Sequence, residues 1–214
     1  MKIKKIGWTS FLLTSDNITV LTDPLMLKES GISFPKTKTD VCLYTEAKDP
    51  KKSILEDNKL EKKVVGDSRE NIMEIHTPGE YEIGGIMIRR GIGEKFFIID
   101  EKTTRVVYMG GTDNSFDPAD VKDLGDVDVL IIPVGDGVTF MNFDKMEKVI
   151  SNVDPAILIP CAYKGEGGSN TDLKSKDEFI KHFGFANVRE ENYINISKKR
   201  VEQDQQSVEV IFLQ

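Results

Sequence analysis

The stretch VDVLIIP at residues 127–133 is apolar at almost every position, and AILIP at residues 156–160 repeats this pattern. A strand with one face in water alternates apolar and polar residues, whereas continuous apolar runs are typical of strands buried on both faces. Between the two runs, the apolar residues of Phe143–Ser151 recur at helical spacing. The pattern therefore predicts a buried strand, a helix and a second buried strand in succession.

The elements on either side of this unit carry their own start and stop signals. Asp117 and Pro118 are typical of the N-cap and first position of a helix, which we expect to be short and to end at Gly125. Ser175–Phe183 has the pattern of another capped helix, and Gly184 ends it. Two further strands complete this half of the chain, at Tyr193–Ile196 and Val208–Leu213.

The first half of the chain consists of short runs rich in β-branched residues, separated by Gly, Asp and Asn. Runs of this length and spacing are typical of strands joined by tight turns. We expect separate strands at Lys2–Ile6, Ser10–Thr14, Ile18–Leu21 and Asp40–Tyr44, and an antiparallel meander of Ile72–Ile75, Glu80–Ile83, Ile86–Arg90, Lys95–Asp100 and Arg105–Met109.

The order of these elements predicts the fold class. The charged stretch Lys48–Lys63 contains Ile54, Leu55 and Leu60, which indicate one helical turn in an otherwise solvated segment. A β-rich half followed by strand–helix–strand–helix favours an α+β fold with four αβ/βα layers, two β-sheets inside and helices outside. With 214 residues and 24.1 kDa the chain can build one large core, and we expect a single domain over residues 1–214.

The charge balance disfavours polyanionic partners. Lys and Arg number 29 against 36 Asp and Glu, so the net charge is −7 and the pI is near 5.0. Such a chain is not attracted to nucleic acid or to an anionic membrane surface. No window approaches the length of an apolar membrane span, and the start MKIKKIGWTSFLL lacks the apolar core of a signal peptide. We therefore expect a cytoplasmic protein without membrane contact.

Few residues can serve as soft metal ligands. The chain has two histidines, His76 and His182, and two cysteines, Cys42 and Cys161. These numbers exclude a site of three imidazoles, and the cysteine spacing excludes a Cys-x-x-Cys pair. Both cysteines lie in apolar, strand-like runs, so we interpret them as reduced and buried.

Five segments in order resemble the metallo-β-lactamase-fold hydrolases, in particular a zinc-dependent subgroup similar to ascorbate-6-phosphate lactonases. The family patterns are K-I-x-x-L-G-H-S-S-F, L-T-D-P, P-G-E-Y-E-V-x-G, L-G-D-V-D-V-L-L-I-P-V-G and I-P-M-H-Y-K. The resemblance implies the same four-layer fold. The matching segments are Lys2–Phe11, Leu21–Pro24, Pro78–Gly85, Leu124–Gly135 and Ile159–Lys164.

The resemblance also implies where a zinc site would lie, and the chain departs from the family at each of those positions. In the family, histidines and carboxylates of S-H-x-H-x-D-H, a G-D segment and I-P-M-H-Y-K bind the metal that activates water. An ammonium group has no lone pair for zinc. The substitutions are Glu46 and Lys48 for the first two histidines, Pro50 and Lys51 for the Asp and third histidine, Gly111 for the bridging carboxylate, Ala162 for the last histidine and Trp8 for the opening histidine.

Two interpretations of the altered site follow. In one, the carboxylates of Asp23, Glu46, Asp49 and Asp113 form an oxygen-rich site for a hard cation. In the other, which we favour, lysines of the altered loop fill the vacated space with positive charge and no metal is bound. Lys48 and Lys51 are these lysines, and Trp8 fills the edge of the cavity.

A metal-free acid–base mechanism is a further alternative. His76 would act as general base if Ser10, Thr77 or Cys161 lay within hydrogen-bond reach. The competing interpretation places His76 at a strand end beside a turn, without catalytic function. His182 falls in the last turn of a predicted helix, where an imidazole complements the helix dipole.

Together these features favour a pseudoenzyme: a hydrolase-like fold with a degenerate active site, no cofactor, and a binding, scaffolding or regulatory role. The alternative is a lactone, ester or phosphodiester hydrolase with a rearranged carboxylate metal site or a metal-free site. A third possibility is a subunit that pairs with an active relative. The sequence identifies no ligand or partner, and it leaves a homo-oligomer or a protein partner open.

Overall fold

A computed structural model describes residues 1–46, 60–62, 71–135, 137, 139–166, 172–196 and 207–214. Two β-sheets dominate it. In spatial order, the six-stranded sheet contains β15 (Ile194–Asn195), β1 (Lys2–Gly7), β2 (Ser10–Thr14), β3 (Thr19–Thr22), β5 (Val41–Leu43) and β7 (Met73–Ile75). The eight-stranded sheet contains β14 (Val188–Glu191), β16 (Glu209–Leu213), β13 (Ile157–Cys161), β12 (Val129–Pro133), β11 (Thr104–Tyr108), β10 (Phe97–Glu101), β9 (Ile86–Arg90) and β8 (Gly79–Ile83).

Both sheets are mixed. Strands β8 to β11 form an antiparallel meander, and β11, β12, β13 and β16 then continue the sheet in parallel. In the other sheet β1, β2 and β3 are antiparallel, whereas β3, β5 and β7 are parallel. A separate parallel pair is formed by β4 (Thr37–Thr39) and β6 (Leu60–Lys62).

The continuous apolar strands divide their side chains between two cores. In β12, Val129 and Ile131 belong to the core between the sheets, and Leu130 and Ile132 belong to the core beneath the helices. Successive side chains of a strand point to opposite faces, so a strand with a core on each side must be apolar throughout. This is the physical reason for the VDVLIIP pattern, and it confirms the predicted burial on both faces.

The helices within the described ranges are few and short. They are α1 (Pro24–Glu29), α2 (Phe143–Val153) and α3 (Lys176–Phe183), with a 3₁₀ turn at Pro118–Val121. Helix α2 packs its apolar face into the second core, and α3 adds Phe179 to it. Asn142 caps α2, and Ser175 and Glu178 form a reciprocal capping box on α3. Among the described residues, no helix has the length and hydropathy of a membrane span.

The predicted fold class is confirmed, and the element predictions need three corrections. Ile72–Ile75 does not join the meander, because β7 pairs with β5 in the other sheet. The helix expected after Asp117 is only the 3₁₀ turn, which ends at Val121. Leu60–Lys62 is a strand beside β4, and the helical turn expected at Ile54 and Leu55 lies outside the described residues.

Changing Ser175→Ala removes one half of the capping box at the start of α3. The Glu178 backbone N–H would lose its acceptor, so we expect the free energy of unfolding to fall by about 1 kcal/mol. Lys181→Ala, at an exposed position of the same helix, should change it by less than about 0.5 kcal/mol. Urea unfolding of both variants measures the difference, and equal stabilities would contradict a stabilising cap.

Candidate functional site

Several strands end at one edge of the sandwich, and polar residues follow them there. Asp23 comes directly after β3, and Thr45 is the second residue after β5. Tyr108 is the last residue of β11 in the opposite sheet, and its hydroxyl contacts the Asp23 carboxyl group. Ala162 follows β13 in the same opposite sheet. The family resemblance places its active site at these strand ends.

The centre of this edge is the carboxyl group of Asp23, which is 2% exposed. Its Oδ1 accepts the Thr45 backbone N–H at 2.7 Å. Its Oδ2 lies 2.6 Å from the Thr45 hydroxyl and 2.6 Å from the Tyr108 hydroxyl. The Asp23 carbonyl oxygen in turn accepts the hydroxyl hydrogen of Ser10 at 2.8 Å. One side chain thus connects elements of both sheets.

Burial governs the protonation of this carboxyl group. It raises the pKa of Asp23 to about 6, although the hydrogen bonds from Thr45 and Tyr108 oppose the rise. The nearby Glu46 carboxylate raises the pKa further. Burial also raises the pKa of the Tyr108 hydroxyl, and the neighbouring Asp23 adds to this effect. Tyr108 therefore keeps its hydrogen under physiological conditions.

Arg90 fixes the loops that follow β5 and β7. Its guanidinium group donates to the carbonyl oxygens of Tyr44 and Thr45, each at 2.7 Å, and to that of His76 at 2.9 Å. It also donates to the carbonyl oxygen of Glu94 at 3.0 Å. Carbonyl groups at strand ends have no ladder partner, and a planar group with five N–H donors satisfies several of them at once.

A buried ion pair connects the two sheets close to Cys161. The Lys5 ammonium group on β1 contacts the Glu166 carboxylate, and the second Glu166 oxygen accepts the Ala162 backbone N–H at 2.7 Å. Burial lowers the pKa of Lys5 to about 8. The Cys161 thiol is fully buried, which raises its pKa to about 12 and keeps it neutral.

The structure places three of the substituted family positions around this centre. Trp8 is 4% exposed and packs against Phe140, with ring centroids 5.7 Å apart. A Cβ atom at Gly111 would overlap the Thr45 hydroxyl oxygen. Ala162 is fully buried and adopts a left-handed conformation with φ of 53°. That Trp8 fills the edge of a former cavity stays a prediction.

The other predicted site residues lie at the exposed loop beside the centre, in a separate turn, or outside the described residues. Glu46 is exposed at the loop that follows β5. Lys48, Asp49 and Lys51 lie outside the described residues, so their predicted ion pairs stay a prediction. Asp113 forms an ion pair with Lys95 at 2.8 Å.

The ion pair with Lys95 affects the pKa of Asp113. Burial alone would raise the pKa of this carboxyl, but hydrogen bonds from Lys95 and Ser115 lower it to about 2. The two Ser115 bonds, from its backbone N–H at 2.8 Å and its hydroxyl at 2.6 Å, also fix a turn. Asp113 therefore acts here as a turn residue with a lysine partner.

His76 is exposed, and each nucleophile considered for it is engaged elsewhere. Ser10 donates to the Asp23 carbonyl oxygen, the Thr77 hydroxyl lies 2.8 Å from that of Tyr81, and Cys161 is buried in the inter-sheet core. His182 occurs in the last turn of α3, as predicted, and its ring lies 4.8 Å from that of Phe143.

The sequence interpretation missed Lys5, Arg90, Tyr108 and Glu166. Lys5 carried a usable signal, because it falls in phase with the buried Ile3 in an alternating strand and a lysine on a core face needs a partner. Arg90 is the last residue of one predicted strand and Tyr108 the last but one of another, but their partners belong to loops distant in sequence. No local pattern could have indicated those contacts.

The family implies zinc, and the described residues do not fit it. Gly111 and Ala162 have no donor atom, the Trp8 indole has no lone pair for a metal, and Glu166 is paired with Lys5. Within the ranges that the structure describes, no group of three or more His, Cys, Asp or Glu side chains is arranged to hold an ion.

A substitution at Gly110 would directly disturb the hydrogen bond between Asp23 and Tyr108. A Cβ atom there would overlap the Tyr108 hydroxyl and lie 2.5 Å from Asp23 Oδ2. We expect Gly110→Ala to lower the free energy of unfolding by about 3 kcal/mol, since it adds overpacking to broken buried hydrogen bonds. The matched control is Gly137→Ala, whose Cβ would meet its nearest neighbour at 3.4 Å. Similar urea midpoints for both variants would show that the centre adds no stability.

Comparisons with known proteins agree with this geometry. The Beta-lactamase superfamily domain matches residues 2–162, which is more than half of the chain. No curated protein sequence matches. Solved structures of similar fold include a candidate Zn-dependent hydrolase of the metallo-β-lactamase superfamily from Thermotoga maritima. It is 22% identical, with a TM-score of 0.73, and the match covers 100% of this chain and 98% of that one.

Two further structures have the same fold at lower identity. Igni18, a metallo hydrolase from the archaeon Ignicoccus hospitalis, is 15% identical with a TM-score of 0.59, and the match covers 92% of this chain and 99% of that one. The metallo-β-lactamase fold protein YhfI from Bacillus subtilis is 11% identical with a TM-score of 0.56, and the match covers 100% and 96%. Identities this low establish the fold alone. Together with the domain match, they show that this chain belongs to the beta-lactamase superfamily and has the metallo-β-lactamase fold.

Proposed function

We propose that this protein is a member of the metallo-β-lactamase fold that has lost the zinc hydrolase site and serves as a binding or regulatory protein. The observation that carries the proposal is the buried hydrogen-bonded centre of Asp23, Thr45 and Tyr108 at the strand ends where the family resemblance places the metal. The proposal covers residues 1–214 as a single domain.

The first support is the chemistry of the donor set. Zinc sites in this family need imidazole and carboxylate donors on three separate loops. Here the family's ligand positions after β11 and β13 are Gly111 and Ala162. The loop after β13 also contains the Glu166 carboxylate, but Lys5 neutralises it. Asp113, two residues after Gly111, is paired with Lys95, so neither loop offers an unpaired donor at the family position.

The second support is the lack of room at the position of the bridging carboxylate. A side chain at Gly111 would displace the Thr45 hydroxyl, which is itself bonded to Asp23. A side chain at Gly110 would displace the Tyr108 hydroxyl in the same way. Restoring a metal ligand here therefore requires a rearranged interior as well as a new residue.

The alternative of a metal-free hydrolase has less support. Its candidate base His76 is exposed, and its carbonyl oxygen is held by Arg90. General acid–base catalysis alone contributes about 10² to 10⁴ in rate, below the acceleration of about 10⁶ at the low end of enzymes. An acid–base pair without a positioned nucleophile would therefore give little turnover.

The metal content of purified protein tests the proposal directly. We expect far less than one Zn, Mn or Fe ion per chain by elemental analysis, and no change in melting temperature with a chelator or with added zinc. A specific site at 100-fold excess of metal over Kd would stabilise the fold by about 2.7 kcal/mol, which a thermal melt detects readily. Stoichiometric metal, or a melt that shifts with zinc, would refute the loss of the site.

Turnover on lactone, phosphodiester, thioester and β-lactam substrates tests the alternative. We expect rates equal to the buffer background, because the described residues provide neither a metal-activated hydroxide nor a positioned nucleophile. His76→Ala is the matched variant. A reproducible wild-type rate that disappears in His76→Ala would establish an enzyme and make His76 its catalytic residue.

A further inference from the structure

Strand β8 is the last strand of the eight-stranded sheet, and it pairs with β9 on one side only. None of the described residues hydrogen-bonds the main chain of Gly79–Ile83 from the opposite side. A strand at the edge of a sheet presents unpaired N–H and C=O groups, to which a strand of another chain can add. The five residues of β8 therefore form an open edge, which we call the β8 edge.

The turn between β8 and β9 indicates which backbone groups point away from β9. Its two residues, Gly84 and Gly85, have φ of 58° and 84°, as in a type I′ hairpin turn. A hydrogen bond between the first and fourth residues closes such a turn, so Ile83, the last residue of β8, bonds to β9. Bonded and non-bonded positions alternate along an antiparallel strand. The N–H and C=O groups of Glu80 and Glu82 therefore point to the open side of the β8 edge.

The same two residues place carboxylates on the outer face of the sheet. Glu80 and Glu82 are exposed, whereas Tyr81 between them packs against the inter-sheet core. Residues two apart on a strand lie about 7 Å apart on one face. Arg89 lies opposite Glu80 on β9, but its guanidinium group pairs with Asp100 at 2.9 Å. In the part of the chain that the structure describes, neither glutamate forms an ion pair.

The other edge strands of the two large sheets differ from β8. At the far edge of the same sheet, the charged side chains of β14 have partners: Arg189 pairs with Glu191 and Glu209, and Glu190 pairs with Lys176. In the six-stranded sheet, the edge strands β15 and β7 have only two and three residues. Among these four edges, β8 therefore combines the greatest length with carboxylates that have no cationic partner in the described ranges.

We propose that the β8 edge binds an extended segment of a partner protein in which Lys or Arg alternates with apolar residues. The backbone of this segment pairs with the free N–H and C=O groups of Glu80 and Glu82. Residues directly opposite each other in a strand pair have their side chains on the same face, so two basic side chains lie beside the two carboxylates. The apolar residue between them lies next to Tyr81, at the margin of the inter-sheet core.

The charge pattern disfavours a second copy of this chain at the same edge. In an antiparallel pair centred on Tyr81, Glu80 of each copy would lie opposite Glu82 of the other. Like charges directly opposite each other destabilise a strand pair. The two carboxylates therefore act against self-association and, at the same time, select a basic partner.

Binding of a dye-labelled peptide of sequence SVKVKVS tests the proposal. We expect its fluorescence anisotropy to rise to saturation as the full-length protein is added. The peptide SVEVEVS, with glutamates in place of the lysines, should not bind. A third peptide has the SVKVKVS sequence with both lysine backbone nitrogens methylated. It keeps the charge but lacks the N–H groups that would bond to Glu80 and Glu82, so it should not bind either.

Variants of the protein separate local pairing from general charge attraction. Glu80→Gln combined with Glu82→Gln should weaken binding of SVKVKVS about tenfold, because two cross-strand charge pairs are lost. The matched control combines Asp123→Asn with Glu147→Gln, which removes two exposed acids elsewhere and makes the same change in net charge. It should weaken binding less than about twofold at physiological salt, because distant charges are screened.

Amide exchange locates the bound peptide on the strand. In ¹⁵N NMR spectra of the free protein, we expect the amide hydrogens of Glu80 and Glu82 to exchange rapidly with solvent, and that of Tyr81 to be protected by β9. Saturation with SVKVKVS should slow exchange at both glutamates. Glu82→Pro removes one of these N–H groups at a position where an edge strand tolerates proline, and it should abolish binding.

Several results would overturn the proposal. They are the absence of saturable binding of SVKVKVS, equal binding of the methylated or the glutamate peptide, equal effects of the two double variants, and unchanged amide exchange at Glu80 and Glu82. A dimer of the free protein in sedimentation that Glu82→Pro abolishes would assign the β8 edge to a second copy and overturn it as well. The inference rests on this edge and not on the proposed function, so metal analysis and substrate assays leave it unaffected.

Discussion

The hydrogen bonds of the Asp23 carboxyl group hold the strand ends of two sheets together. Thr45 reaches it from the loop after β5, and Tyr108 reaches it from β11 in the opposite sheet. The group is fully buried, so any of these bonds that is lost leaves an unsatisfied polar atom in the core. The packing of Gly110 and Gly111 follows from this constraint, because a Cβ atom at either position would occupy the place of one of the bonding hydroxyl groups.

Two buried cations, Arg90 and Lys5, bind polar groups at the same edge of the sandwich. Arg90 bonds the backbone carbonyls after β5 and β7, and Lys5 neutralises the Glu166 carboxylate that caps the backbone after β13. Protein cations and a carboxyl group thus connect the loops at this edge through backbone atoms. An ion pair removed from water stabilises little on its own, but the loss of either partner would leave a buried charge, so both partners are required.

Much of the fold was predictable from local pattern, and much of the site was not. The apolar runs at residues 127–133 and 156–160 predicted strands covered on both faces, and the structure shows a core on each side of them. Helix α1 and strands β4 and β14 were not predicted, because three to six residues are too few to show a periodic pattern. Strand β7 was placed in the wrong sheet, since spacing along the chain does not tell which neighbour a strand pairs with.

The candidate site also shows which properties can be inferred from a family resemblance and which cannot. Of the described residues, five other than glycine have positive φ, and Trp8, Asp23 and Ala162 among them lie at the strand ends around the site. A non-glycine residue in this region costs about 1–2 kcal/mol, so surrounding contacts must enforce the conformation. The carboxyl centre, the packing of Trp8 on Phe140 and the bond from Ala162 to Glu166 are such contacts. These contacts between protein groups thus enforce the backbone shape at these positions, and such a shape identifies the fold but not a reaction.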